Sequence, residues 1–150
     1  MRKVKIEDVK KLREETSASI VDVRNALEES SGDYKKAVEW LKKRGIEKAE
    51  KKAERETSQG LVESYVHGGK IGVLVTLSCE TDFVARTDEF KNLAHEIAMQ
   101  ISAMAPKNVE DLLKEEYIRD NSTTIEKLIK QIIGKLGENI IVKEFSRLEL

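Results

Sequence analysis

Gly68-Gly69-Lys70-Ile71-Gly72-Val73-Leu74-Val75-Thr76-Leu77-Ser78-Cys79-Glu80 decides the fold. Its apolar residues fall on every second position: Ile71, Val73, Val75, Leu77 and Cys79 share one face of an extended strand. The other face, Gly72, Leu74, Thr76, Ser78 and Glu80, grows more polar toward its end. One face is therefore buried. Gly68-Gly69 is a hairpin signal, and Leu61 to His67 supplies the partner strand before it.

Around this hairpin the period is helical. Phe90, Leu93, Ala94, Ile97, Ile101 and Met104 form one stripe of a long helix that ends before Pro106, with Thr87 as its N-cap. Residues 106–122 read as mixed structure with a helical turn around Val109–Leu113. A capping box from Thr123 opens a helix carrying Ile125, Leu128, Ile129, Ile132 and Leu136, which Gly137 can stop. Asn139 to Leu150 reads as a last strand, with Ile140 to Phe145 as its most strand-like part. Residues 58–150 are thus expected to form an α+β unit: a small three-stranded antiparallel sheet packed with helices.

Residues 1–46 predict three short helices. The first carries Val4, Ile6, Val9 and Leu12; the second starts at the capping box Ser19-Ile20-Val21-Asp22; the third follows Asp33 as N-cap. Gly45 is expected to end the third helix in the left-handed conformation. Residues 47–57, polar except for Ala49 and Ala53, then read as a linker helix bridging two packed units. Its Lys48, Lys51, Lys52 and Arg55 read as a solvated face rather than a binding patch.

Composition narrows the function. Lys+Arg 27 against Asp+Glu 28 leaves a net charge of −1 in 150 residues, so no basic field favours nucleic acid or a membrane surface. The charged N-terminus lacks an apolar signal core, and no apolar run approaches a membrane span of about 20 residues. A single cysteine fits a reducing cytoplasm. No phosphate-binding glycine loop or metal-ligand spacing occurs, so no cofactor and no metal are expected.

Catalytic readings fare poorly. Cys79 would need a base, but His67 lies across the hairpin, roughly 30 Å away at the rise of a strand. A packed structural thiol is the preferred reading of Cys79, and His95 reads as a helix-surface residue beside the apolar stripe. Glu80 and Asp82 could pair as acid and base, yet no third polar partner or pocket is legible. Thr81 or Asp82 can cap a helix. Phe83 stays open between core and protrusion: it lies seven residues before Phe90, but a helix start at Thr87 would leave it in a turn at the sheet's end.

Cys79-Glu80-Thr81-Asp82-Phe83-Val84-Ala85-Arg86 closely resembles the signature of the elongation factor Ts family. Similar segments occur at Leu12–Thr16, Asp22–Leu27, Ala37–Leu41, Lys48–Ala53 and Gly137–Ile140, with glycines usual in the family where this chain has Ser17 and Ser19. The resemblance implies a non-enzymatic guanine-nucleotide exchange factor for elongation factor Tu, acting in translation elongation. Its N-terminal bundle, similar to ubiquitin-associated domains, would dock through Leu12, Arg13, Ile20 and Val21. The turn Thr81, Asp82, Phe83 and Val84 would disturb the partner's magnesium site. Short members of the family can pair as homodimers, and the exposed apolar residues expected on the last strand would favour that here. The alternative is an interaction or dimerisation module without exchange activity.

Overall fold

The computed structural model describes residues 4–150. Three helices come first: α1 (Ile6–Thr16), α2 (Ile20–Glu29) and α3 (Tyr34–Glu50). Ser19 caps α2 by accepting from the Asp22 amide at 3.1 Å, and Asp33 caps α3 by accepting from the Lys36 amide at 3.1 Å. Leu12, Val23, Ala26, Leu27, Ala37 and Leu41 form the bundle's core. Ile6 falls off the buried face of α1 and is exposed.

The third helix does not stop at Gly45. It continues to Glu50, so the helical part of the connector is the end of α3 itself, followed by turns at 51–54. The left-handed cap expected at Gly45 is absent because the residue faces another helix. That helix is α7 (Ile125–Leu136). At the crossing, a Cβ placed on Gly134 would come within 2.6 Å of the Gly45 Cα and 2.7 Å of its carbonyl oxygen. The missing side chain of Gly134 therefore lets the α7 backbone approach α3 at Gly45. Burial of Ala49, which joins the core of the sheet unit, also explains why this polar stretch is not wholly solvated.

The sheet has the order β1–β2–β5, all antiparallel, with β1 spanning Gln59–His67, β2 Ile71–Cys79 and β5 Ile140–Glu149. Gly68 and Gly69 both have positive φ, 56° and 68°, and the Lys70 amide donates to the His67 carbonyl at 3.0 Å. Because His67 faces Ile71, Lys70 belongs to the loop rather than to the strand. Val73, Val75, Leu77 and Cys79 are buried as the alternation requires. They pack with Phe90, Leu93, Ala94, Ile97 and Ile101 of α5 (Asp88–Met104). Met104 lies beyond the buried stripe and is exposed.

Residues 106–122 hold more order than their sequence suggests. Helix α6 (Val109–Lys114) buries Leu112, and a second small sheet pairs β3 (Glu116–Tyr117) with β4 (Asp120–Thr124). Fully buried Gln100 of α5 holds this hairpin: its amide donates to the Glu116 carbonyl at 3.0 Å and accepts from the Ile118 amide at 2.9 Å. The N-cap of α7 is Thr124, which accepts from the Lys127 amide, one residue later than expected. Gly137, at φ 80°, ends the helix as expected.

The crossing generates a paired expectation. Gly134→Ala should destabilise the protein by about 1–3 kcal/mol, because backbone rather than a flexible side chain must yield. Gly45→Ala meets nothing closer than 3.9 Å, and alanine gains about 1 kcal/mol of helix propensity over glycine, so it should be neutral or stabilising. Urea unfolding of both variants measures the difference; equal destabilisation would contradict the close crossing.

Candidate functional site

Strand β2 delivers its last residues to one end of the sheet. There Thr81 begins helix α4 (Asp82–Ala85) in extended conformation, with its hydroxyl accepting from the Val84 amide at 3.3 Å. The helix lasts only four residues because Thr87 caps the next one, accepting from the Phe90 amide and donating its hydroxyl to the Val84 carbonyl at 2.7 Å. The break at Thr87 separates Phe83 from the long helix. Val84 and Ala85 turn inward, each 6% exposed, and anchor the turn in the core. Phe83 turns outward and is 83% exposed, so protrusion, not core, is its position.

Asp82 and Arg86 flank the ring as an exposed i,i+4 ion pair. Exposure makes such a pair weak, and a partner can separate it at little cost. Val84 lies beneath this surface rather than on it. Its side chain pins the turn from below.

The turn is tied to distant chain segments. Glu138, just past the Gly137 cap of α7, accepts from the Thr81 amide at 2.9 Å and from its hydroxyl at 2.7 Å. The Asn139 amide donates to Glu80 at 2.8 Å, and the Asn139 side chain donates to the carbonyls of Ala53 and Arg55 at 3.3 and 2.8 Å. Arg55 lies 3.6 Å from Glu80. Glu80 and Asp82 thus serve different partners. Sequence reading misses this network: Glu138 and Asn139 are two polar residues after a glycine, and nothing local points to residues 80 and 81.

Cys79 is fully buried, and its Sγ donates to the Thr81 carbonyl at 3.1 Å. Burial first, then the negative charge of Glu138, pushes its thiol up to about 11. The register pairs Cys79 with Gln59 and His67 with Ile71, at opposite ends of the hairpin. The two histidines find other neighbours: His67 shares a 2.9 Å hydrogen bond with the Tyr65 hydroxyl, and His95 lies 3.8 Å from Glu63. Among the described residues, no group of three or more His, Cys, Asp or Glu side chains could hold a metal ion. Nor is any helix among them long and apolar enough to cross a membrane.

The second candidate surface lies at the start of α2. Ile20 and Val21 are 50% and 67% exposed, and Arg13, in the last turn of α1, is exposed as well. Leu12, expected on this face, is instead fully buried in the core of the bundle and supports the face from beneath. Ser17 adopts the left-handed conformation at φ 54°, where the Cβ costs roughly 1–2 kcal/mol that glycine would not incur. Ser19 offsets this by capping α2 and by donating to the Asp22 carboxylate at 2.8 Å. Burial works against the charge of Asp22, but hydrogen bonds from Lys48 and Ser19 and the charges of Lys48 and Arg44 outweigh it. The carboxyl is held below its usual range, and α2 is fastened to α3.

The family model described as Elongation factor TS matches residues 80–150. Elongation factor Ts of Rippkaea orientalis is 42% identical, over all of this chain and 79% of the relative. That of Coprothermobacter proteolyticus is 44% identical over 93% of this chain and 94% of its own, and that of Fervidobacterium nodosum 42% over 95% of each. The chain belongs to the elongation factor Ts family. The matched region begins at Glu80, so it takes in both the α4 turn and the Glu138–Asn139 segment that holds it.

Thiol chemistry checks the description of the sheet's end. At pH 8, Cys79 in the native protein should react with iodoacetamide about a hundredfold more slowly than in the urea-unfolded chain, from thiolate fraction alone. Burial adds to the difference. Equal labelling rates by mass spectrometry would mean that the strand end is open.

Proposed function

We propose that this chain is a guanine-nucleotide exchange factor for elongation factor Tu in translation elongation, and that the Phe83 turn is the part that disturbs the partner's magnesium site. The observation that carries the reading is an aromatic ring 83% exposed on a turn whose other side is buried. An isolated exposed phenylalanine is common on protein surfaces. One mounted on a four-residue helix, capped at Thr81 and stopped at Thr87, is different: it cannot retreat into its own core without dismantling the turn.

The physics of exchange suits such a part. Magnesium requires near-ideal octahedral geometry at about 2.0–2.1 Å. A small displacement of the segments that hold its ligands therefore removes much of its binding. Because the ion bridges nucleotide phosphates and protein, GDP then leaves faster. Burying the ring in a partner contributes on the order of 1.5–3 kcal/mol. Linkage makes the effect reciprocal: whatever this chain subtracts from GDP affinity, GDP subtracts from the affinity for this chain. Arg13, Ile20 and Val21 form the docking face of the bundle in this reading, held up by Leu12. No bond is made or broken, so the chain is not an enzyme.

A homodimer completes the reading. Val66 and Leu148 lie in one row across the outer face of the sheet through Gly72, and Leu74 and Val62 lie in the next rows. These four side chains are all more than half exposed. A second copy related by a two-fold axis would cover the row with its own identical row.

Phe83→Ala should leave urea stability near the parent value and slow stimulated release of fluorescent GDP from elongation factor Tu by roughly ten- to hundredfold, the kinetic equivalent of the lost burial. Unchanged release would remove the turn from the mechanism. For the dimer, Leu74→Glu with Leu148→Glu should convert a species of twice the chain mass into monomer in light scattering at micromolar concentration. A parent protein that is monomeric there would refute the pairing.

A further inference from the structure

We infer that Glu138 is a positioning residue for the Phe83 ring. This rests on the function proposed above. Its carboxylate takes the Thr81 amide on one oxygen, at 2.9 Å, and the Thr81 hydroxyl on the other, at 2.7 Å. Both bonds are to a charged acceptor, the stronger class of hydrogen bond. They act on the residue that caps α4, two positions before the ring.

Thr81 is the hub of the turn. Its hydroxyl donates to Glu138, which directs a lone pair toward the Val84 amide 3.3 Å away. Its carbonyl accepts from the Ala85 amide at 3.2 Å and from the Cys79 thiol at 3.1 Å. Fixing Thr81 therefore fixes the start of the helix, and the helix aims Phe83. Without Glu138 the Thr81 hydroxyl is free to rotate, its amide turns to water, and a four-residue helix loses the restraint at its N-terminus.

Glu138 can supply that restraint because its own backbone is held on both sides. Gly137 ends α7 with its amide on the Ile133 carbonyl at 2.8 Å. Asn139, only 3% exposed, donates its main-chain amide to Glu80 and its side chain to the Ala53 and Arg55 carbonyls. The carboxylate thus projects from a braced segment rather than a free loop, and little freedom is left to lose on gripping Thr81.

The test combines amide hydrogen exchange of the free protein with stimulated release of fluorescent GDP from elongation factor Tu. Glu138→Ala should accelerate amide exchange at Thr81 and Val84 and slow stimulated release about tenfold, on the scale of two hydrogen bonds lost. Glu138→Gln keeps an acceptor for the Thr81 amide and can donate to its hydroxyl, so it should restore release to within about twofold of the parent. In a Phe83→Ala background, Glu138→Ala should cause no further slowing, because the ring it positions is gone. A purely structural role would slow both backgrounds alike, and that result overturns the inference; so does unchanged amide exchange at Thr81 and Val84 in Glu138→Ala. If Phe83→Ala alone does not slow release, the function proposed above fails and this inference falls with it; the amide-exchange data still separate that failure from the absence of the clamp. Should Glu138→Ala not fold, Thr81→Val removes the hydroxyl half of the grip and must show the same dependence on Phe83.

Discussion

The inner row of β2 determines where everything else in the sheet unit can be. Val73, Val75, Leu77 and Cys79 are all at most 3% exposed. A strand with side-chain period two cannot slip by one residue without turning this entire row to water. Once that row is set, the position of Thr81 just past the strand's end is set too. The chain must then reach α5 within a few residues, and Thr81 and Thr87 partition the interval into a single short turn. Such a turn buries one side only. Val84 and Ala85 take it, so Phe83 is left outside.

Burial accounts for the direction of the ring, while polar contacts account for the steadiness of its mounting. Glu80 and Thr81 reach Asn139 and Glu138, and Asn139 reaches the connector at Ala53 and Arg55. Three segments distant in sequence meet at one end of the sheet. Each has a backbone amide or carbonyl that would otherwise need water, and the contacts satisfy them internally. The same meeting place lifts the Cys79 thiol to about 11, since burial and the Glu138 carboxylate both disfavour a thiolate. The thiol, carboxylates and hydroxyl of this stretch are thus held in structural contacts.

The bundle is joined to the sheet unit by two kinds of contact. At the crossing of α3 and α7, Gly134 allows the backbones to approach so closely that its position has no room for a Cβ against Gly45. Farther along α3, Ala49 enters the core that β2 and α5 form. Lys48, one residue before it, turns back to Asp22 at the start of α2. One helix therefore connects the exposed Ile20–Val21 face to the unit that carries Phe83. A small apolar residue, a glycine and a lysine do different parts of that work, and each part depends on its place around the helix.

Local chemistry sufficed for much of this protein. Alternation along β2, the glycine pair of the hairpin, the caps at Ser19, Asp33 and Thr87 and the stripe of α5 were all legible, because each involves residues within one helix or one strand. So was the signature that points to the family. The tertiary structure decided the rest. Gly45 reads as a helix stop because glycine favours the left-handed conformation; only the presence of Gly134 opposite it makes a straight passage the better use. Gln100 is buried because the β3–β4 hairpin folds over it and takes both ends of its amide. Leu12 and Val84 look like contact residues beside Arg13 and Phe83, but which neighbour faces water depends on what packs underneath. Glu138 lies 57 positions from Thr81. Hydrogen bonds and helix crossings at such separations leave no periodic trace in the chain, for they are formed by geometry that exists only after folding.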